Sequence, residues 1–232
     1  MKRVLMTGAS SGIGRAAALE LAKRGCDVVV TGRNVEALTA VWTAGGGGAV
    51  VAGELTKDED RARIVEKAFA GLEGVEPILV NAAGIAEFGE FLSLSSESLE
   101  AQIAVNLLAP MHLCQLALPY MVKEGSGHIV NVLSIVAELP LAGASAYAAS
   151  KAALRMFGKV IATEYRRQGV RVTGILPGAV NTPIWDGIGS NGPNRADMLT
   201  PEAVATAIAD VIMSPPDRSF DEITMMPPKG FL

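Results

Sequence analysis

The segment Thr7-Gly8-Ala9-Ser10-Ser11-Gly12-Ile13-Gly14 decides how this chain folds. It follows the apolar run Val4–Thr7 and opens a helical pattern that extends from Gly12 to Arg24 and ends at Gly25. Backbone N–H groups and the helix dipole can hold a pyrophosphate at such a junction. The glycines permit a tight turn, close approach of phosphate and close helix–sheet contact. The segment therefore predicts a dinucleotide-binding turn, with an ordinary strand–helix turn as the alternative.

Six further apolar runs predict strands. Most are apolar throughout, as parallel strands covered on both faces are. They are Val28–Thr31, Ala49–Ala52, Ile78–Asn81, Ile129–Leu133, Val170–Leu176 and Glu222–Met226. Helical patterns separate them: Thr56 to about Ala70, opened by the capping-box pattern Thr56-Lys57-Asp58-Glu59, then Glu97–Lys123, Ala146–Gln168 and Pro201–Met213.

This alternation predicts the fold class. We expect a Rossmann-type, doubly wound α/β fold, with a seven-stranded parallel sheet and helices on both faces, in a single domain over residues 1–232. The only long irregular stretch, Gly178–Leu199, follows a predicted strand. Loops of this length usually carry function, so we expect a substrate loop there.

Composition narrows the classes of partner. Lys and Arg number 20 against 24 Asp and Glu, and a net charge of −4 favours neither a nucleic acid nor a membrane as partner. Cys26 and Cys114 lie in apolar patterns, which indicates buried thiols in a reducing compartment. No signal-peptide pattern precedes the first strand, and polar residues interrupt the apolar stretch Ala104–Val122, so we expect a cytoplasmic protein. His112 and His128 lack metal-ligand spacing, so no metal is expected.

The residues after the second strand indicate which cofactor is preferred. A carboxylate there would bind the ribose 2′-OH of NAD, whereas a cation suits the 2′-phosphate of NADP. The chain has Gly32 and Arg33 at this place, and Arg33 can bind phosphate through two hydrogen bonds. The sequence favours NADP (NADPH), with NAD less favoured. The alternatives are that Arg33 is a solvated loop charge or that Glu36 takes the ribose.

Tyr147-Ala148-Ala149-Ser150-Lys151 places a phenol and an ammonium one helical turn apart. A neighbouring cation, together with an oxidised nicotinamide, would favour the phenolate and move the tyrosine pKa toward working pH for acid–base chemistry. The pattern Tyr-x-x-x-Lys alone occurs often by chance, so it needs the other motifs beside it.

Together these motifs resemble those of the short-chain dehydrogenase/reductase family, and they span nearly the whole chain. The resemblance is carried by Thr7–Gly14, Asn81-Ala82-Ala83-Gly84, Asn106, Ser134, Tyr147, Lys151 and Pro177-Gly178. It implies an oxidoreductase that moves a hydride between NADP(H) and a carbonyl or alcohol. Two positions depart from the family pattern, since Ala82 replaces a second Asn and Glu54 replaces an Asp.

The resemblance also implies four catalytic residues. Tyr147 would be the general acid and base, and Ser134 would hydrogen-bond the substrate oxygen. Lys151 would bind the nicotinamide ribose, and Asn106 would hold a water that links Lys151 to solvent. The implied cofactor contacts are Gly8, Ser10, Ser11, Gly12, Ile13, Gly14, Arg33, Glu54, Leu55, Asn81, Ala82, Gly84, Tyr147, Lys151, Pro177, Gly178, Val180 and Thr182. For Asn81 and Gly84 a structural role is the favoured alternative.

The expected substrate contacts are mostly apolar, which favours a small, apolar ketone, aldehyde or secondary alcohol. They are Ser134, Ala137, Leu139, Ile184 and Trp185. One alternative is an NADP-dependent dehydrogenase of small hydroxy acids, with Arg195 holding the carboxylate. Another is a non-catalytic NADP-binding regulatory protein that has kept the fold. The family resemblance further implies a homodimer or homotetramer built on the two long helices.

Overall fold

One parallel sheet of seven strands, in the order β3-β2-β1-β4-β5-β6-β7, organises the computed structural model of this chain. The structure describes residues 1–45, 48–191 and 193–230. The strands are β1 Lys2–Thr7, β2 Asp27–Thr31, β3 Ala49–Val50, β4 Glu76–Asn81, β5 Gly127–Val132, β6 Val170–Pro177 and β7 Glu222–Met225. All neighbouring pairs are parallel. The predicted fold class is confirmed.

Helices connect the strands and cover both faces of the sheet. The α-helices are α1 Gly12–Lys23, α2 Val35–Gly45, α3 Asp58–Phe69, α4 Ser96–Ile103, α5 Ala109–Glu124, α6 Ser145–Tyr165 and α7 Pro201–Met213. A π-helical segment, Ala104–Leu108, joins α4 to α5, so the helix predicted over Glu97–Lys123 is continuous but locally wider. Such π segments are frequent at functional sites.

Alternate residues of each strand enter two separate cores. In β1, Val4 and Met6 pack on one face, with Leu21 of α1 and Ile208 of α7. Leu5 packs on the other face in the core that also contains residues of α3 and α5. Because side chains alternate along a strand, an uninterrupted apolar run fills both cores at once.

The long helical run Ser96–Glu124 is apolar enough, by length and composition, to cross a membrane. In this structure it lies against the sheet, where Leu113, Ala117 and Met121 of α5 are fully buried in the core. The same core contains Leu79 of β4. The predicted role of this stretch as a buried helix is confirmed.

Two local expectations differ from the structure. The third strand ends at Val50, not Ala52, although backbone hydrogen bonds to β2 and Gly32 continue as far as Gly53. The predicted capping box at Thr56 does not form, since the N-cap of α3 is Lys57 and makes no side-chain cap bond. Instead the Asp60 carboxylate accepts a hydrogen bond from the Glu54 N–H at 2.8 Å, which ties the preceding loop to the helix.

The strand order reverses direction at the boundary between β1 and β4. The connection from β1 leads toward β2 and β3, whereas the chain returns to β4 on the other side. Loops therefore diverge at the carboxyl ends of these two strands and leave a crevice, which is where ligands bind in open α/β sheets.

Candidate active site

A cleft of about 880 Å³ opens at the carboxyl ends of the strands. Arg33 follows β2 and Tyr147 lies beyond β5, so the two residues mark opposite ends of it. Most predicted site residues line this cleft: Gly8, Ser10, Ser11, Gly12, Ile13, Gly14, Arg33, Glu54, Leu55, Ala82, Gly84, Ser134, Tyr147, Lys151, Pro177, Gly178, Val180, Thr182, Ile184 and Trp185.

The turn after β1 excludes side chains at two of its glycines. Gly8 has a φ of +66°, and a Cβ there would lie 2.8 Å from Ala83 Cα. A Cβ at Gly14 would lie 2.7 Å from the Gly8 carbonyl carbon and closer still to its oxygen. Ser11, the N-cap of α1, makes no side-chain cap bond, so it leaves the N–H groups of the first turn available to an anion. This cradle fits the pyrophosphate of a dinucleotide.

Thr7 is a site-shaping residue to which the motif alone assigned no role. Its buried hydroxyl accepts hydrogen bonds from the N–H groups of Ala82 at 3.0 Å and Ala83 at 3.1 Å. It donates to the Val80 carbonyl at 3.2 Å. Thr7 thus joins the glycine turn to the end of β4. The signal in the sequence was a polar residue that closes an apolar strand.

The end of the cleft beside β2 carries an exposed cation, Arg33. The Arg33 side chain is 77% exposed, and its guanidinium lies 3.8 Å from the Glu54 carboxylate. Neighbouring Gly32 contributes no charge, and the atoms nearest to a Cβ there would be those of Leu38 and Ser10, at ordinary contact distances. Arg33 is therefore placed where it can reach a ligand phosphate.

Ser134, Tyr147 and Lys151 lie together at the other end of the cleft, beyond β5. Ser134 follows β5, and its Oγ accepts a hydrogen bond from the Val136 N–H at 3.4 Å. The Ser134 hydroxyl lies close enough to the Tyr147 phenol to lower the pKa of that group. Lys151 lies one turn beyond Tyr147 on α6, with its Nζ 5.7 Å from the Tyr147 ring centroid. The Lys151 ammonium donates to the Val132 carbonyl at 2.8 Å. Two hydrogen-bonding oxygens and one cation are thus presented to a single point of the cleft.

Burial controls the titration of this group. It raises the pKa of Tyr147 to about 12, against a smaller lowering by the Ser134 hydrogen bond. It also lowers the pKa of Lys151 to about 8. The phenol is therefore held protonated at neutral pH. The expected lowering of the tyrosine pKa by Lys151 together with an oxidised nicotinamide concerns the cofactor-bound protein and stays a prediction.

Asn106 lies in the π-helical segment and is fully buried. Its Oδ1 accepts from the Ile85 N–H at 2.9 Å, and its Nδ2 donates to the Ile85 carbonyl at 2.8 Å and to Ser150 Oγ at 3.1 Å. Ser150 Oγ in turn donates to the Tyr147 carbonyl at 2.7 Å. Asn106 therefore fixes the loop after β4 against the helix that carries Tyr147. Its implied role in a water relay stays a prediction.

Asn81 does not contact the cleft as predicted. Its side chain is buried and donates to Asn131 Oδ1 at 2.9 Å, across the paired ends of β4 and β5. It also contacts the Cys114 sulfur at 3.7 Å. The side chain of the last residue of β4 points into the layer beneath the sheet, which gives Asn81 the structural role that was its alternative.

Two of the predicted substrate contacts lie away from the cleft in this structure. Ala137 and Leu139 do not line the cleft, because the chain turns into the 3₁₀ helix Ile135–Ala137 directly after Ser134. Leu139 lies beyond this turn and is 42% exposed. The apolar wall is formed instead by Ile135, Val136 and Leu141.

The loop predicted to contact substrate has local structure. It contains 3₁₀ helices at Pro183–Asn191 and Arg195–Asp197, while Gly192 lies outside the described residues. Arg195 holds the loop together, because its guanidinium donates to the Thr182 carbonyl at 2.9 Å and to the Asp186 carboxylate at 2.7 Å. Its hydrogen-bonding capacity is thus used within the loop.

Phe88 is a lining residue that the motifs did not identify. It lies in the loop after β4 and stacks on Trp185, with ring centroids 5.1 Å apart and planes 7° apart. Its centroid is 6.0 Å from that of Tyr147. No short motif marks such a residue, since its partner is almost a hundred positions away in the chain.

Known proteins of similar sequence and structure are oxidoreductases. The family model described as short chain dehydrogenase matches residues 2–192. An uncharacterized oxidoreductase of Staphylococcus epidermidis is 31% identical over 230 residues, with 97% of each chain covered. A solved alcohol dehydrogenase from the archaeon Thermococcus sibiricus, complexed with 5-hydroxy-NADP, has a TM-score of 0.87 at 26% identity, covering 97% of this chain and 96% of that one. A serine dehydrogenase complexed with NADP+ has a TM-score of 0.83 at 30% identity, covering 96% and 93%.

Proposed function

Because this chain belongs to the short-chain dehydrogenase/reductase family, we propose that it transfers a hydride between NADP(H) and a small, apolar ketone, aldehyde or secondary alcohol. The observation that carries the proposal is the meeting of Ser134, Tyr147 and Lys151 in a cleft that also contains a phosphate-sized glycine cradle. Residues 1–232 then form one catalytic domain, and the loop over residues 178–199 contacts substrate.

In the direction of reduction, the chain's residues orient the carbonyl and supply the proton. Ser134 donates a hydrogen bond to the carbonyl oxygen and stabilises the charge that develops there. Tyr147 donates its proton to that oxygen, and the alcohol leaves after the phenol is reprotonated from solvent. A bound nicotinamide supplies the hydride that the carbonyl carbon receives. In the direction of oxidation, the Tyr147 phenolate accepts the hydroxyl proton.

The polarity of the cleft supports the substrate class. Ile135, Val136 and Leu141 lie beside the two oxygens, whereas a sugar phosphate would require clustered cations. The hydroxy-acid alternative is weakened, because Arg195 is already bonded to its own loop, although a serine dehydrogenase is among the similar structures. The non-catalytic alternative is weakened by the complete set of Asn106, Ser134, Tyr147 and Lys151.

The preference for NADP over NAD is supported by Arg33 and by the NADP-type ligands named for similar structures. We expect Arg33→Ala to weaken NADPH binding by roughly 10- to 100-fold, since hydrogen bonds to charged groups contribute about 1.5–3 kcal/mol. NADH affinity should stay within about twofold, because it has no 2′-phosphate. Calorimetric titration of both cofactors measures the difference.

Arg167→Ala is the matched control. Arg167 is an exposed arginine between α6 and the amino end of β6, at the opposite edge of the sheet from the cleft. Equal losses of NADPH and NADH affinity in Arg33→Ala would contradict the assignment of Arg33 to the 2′-phosphate. Failure of the parent protein to bind either cofactor would overturn the proposed function itself.

We also propose a cytoplasmic homodimer, or a homotetramer built from it, joined through the two long helices. Met156 and Val160 lie one turn apart on α6, and Met156 is 61% exposed. We expect a Met156→Lys/Val160→Lys double variant to be monomeric by light scattering at concentrations where the parent is dimeric, because buried unpaired charges oppose association. Met213→Lys on α7 is the control. A parent protein that is monomeric would contradict the proposal.

A further inference from the structure

Phe88 and Trp185 meet above the carboxyl end of β5. Phe88 follows β4 and Trp185 follows β6, and β5 lies between these strands in the sheet. Their contact at 5.1 Å therefore bridges the position from which Ser134 extends. The Phe88 ring is also 6.0 Å from the Tyr147 ring, so the bridge borders the point where a carbonyl oxygen would be held.

Both rings are held in place by their own loops. The Trp185 indole N–H donates to the Val180 carbonyl at 3.0 Å. Next to Phe88, the Gly89 N–H donates to the Gly143 carbonyl at 2.9 Å, which ties that loop to the segment before α6. The stack thus joins three loops, and opening it requires more than a rotation of one side chain. A bridge held at both ends limits space more strictly than a free side chain does.

We propose that the stacked pair of Phe88 and Trp185 sets the upper size of the larger substituent on the substrate carbonyl. The inference rests on the proposed function and specifies the substrate class as carbonyl compounds whose two substituents are both small. The rest of this chamber is apolar, formed by Ile135, Val136 and Ile184 around Tyr147. Selectivity in it therefore comes from shape, where one methylene group changes rates by roughly 10- to 200-fold.

The test is the reduction of a series of methyl ketones with NADPH, from 2-butanone to acetophenone and 2-acetonaphthone. In Phe88→Ala, we expect the ratio of kcat/KM for 2-acetonaphthone to that for 2-butanone to rise at least tenfold over the parent ratio. NADPH affinity should stay within about twofold, because the variant leaves the glycine cradle unchanged. Trp185→Phe keeps a stacking ring and should change the ratio by less than about threefold.

Phe91→Ala is the control for loss of a phenyl ring from the same loop region. Phe91 is 63% exposed and does not line the cleft, so its removal should leave the ratio unchanged. An unchanged ratio in Phe88→Ala would overturn the inference. A fall in kcat/KM for the bulky ketones would also overturn it, since the pair would then be a surface on which large substrates bind.

A binding measurement separates this inference from the proposed function. Trp42 and Trp185 are the two tryptophans of the chain, so a Trp42→Phe background reports ligand contact with Trp185 through its fluorescence. In the presence of NADP+, which cannot reduce a ketone, 2-butanone should quench this signal in the parent, and 2-acetonaphthone should do so only in Phe88→Ala. If no ketone is reduced with NADPH, the proposed function fails, yet the quenching still decides the size limit. Equal quenching by the naphthyl ketone in both proteins would refute the inference.

Discussion

Tyr147→Phe should reduce kcat for carbonyl reduction by about 10²- to 10⁴-fold, the range that a positioned general acid contributes. The variant removes only the phenolic oxygen. The ring keeps its contacts with Ile135 and Val136, and Phe88 remains beside it. NADPH affinity should therefore change by no more than about threefold, corresponding to one weak hydrogen bond. Steady-state kinetics and calorimetry on the same preparation measure both effects.

Tyr120→Phe provides the control, because Tyr120 packs on Phe69 outside the cleft, with 6.1 Å between the ring centroids. It should retain parental turnover. Parental turnover in Tyr147→Phe, on any ketone that the parent reduces, would eliminate Tyr147 as the proton donor.

The pH dependence gives the same assignment a second readout. Burial raises the pKa of Tyr147 to about 12, so the protonated form required for reduction dominates near neutral pH. Oxidation requires the phenolate, which is a minor species below that pKa. The oxidation rate should therefore rise with pH, by up to about tenfold per unit, while the reduction rate does not. Loss of the rise in Tyr147→Phe would connect it to this phenol.

Most of the fold could be predicted because its signals are local. Continuously apolar strands are typical of a parallel sheet that is covered on both faces. The start of α7 is likewise predicted by two adjacent residues, Thr200 and Pro201. The error at Thr56 arose where a competing side chain changed a local preference. Asp60 binds the backbone of Glu54, and the helix consequently begins at Asp58 without the predicted threonine cap.

Some features of the candidate site could likewise be predicted from local patterns, whereas others could not. The positions of Ser134, Tyr147 and Lys151 follow from short motifs, since each lies at a fixed distance from the end of a strand or on one face of one helix. The stacking of Phe88 on Trp185 depends on how two loops meet, and the use of Arg195 depends on how its own loop folds. The raised pKa of Tyr147 depends on the total burial of the phenol. None of these three properties is encoded in a local pattern.

Gly14→Ala should have the largest effect on cofactor binding that does not involve a charge. A Cβ at this position would lie 2.7 Å from the Gly8 carbonyl carbon and 3.0 Å from the Thr7 carbonyl oxygen, and both are backbone atoms that cannot rotate away. The start of α1 must then move away from β1. Forced overpacking of this kind costs about 1–3 kcal/mol, which lowers Tm by roughly 2–12 °C in a chain of this size.

The same displacement moves the N–H groups of the first turn of α1 out of register with a bound pyrophosphate. We expect NADPH affinity to fall by at least about 100-fold, since more than one hydrogen bond to a charged group is lost. Gly187→Ala is the matched control, because a Cβ there has no neighbour within 4 Å. Its Tm and NADPH affinity should match those of the parent. If Gly14→Ala bound NADPH as the parent does, the pyrophosphate would have to be held elsewhere, and the first turn of α1 would no longer explain cofactor binding.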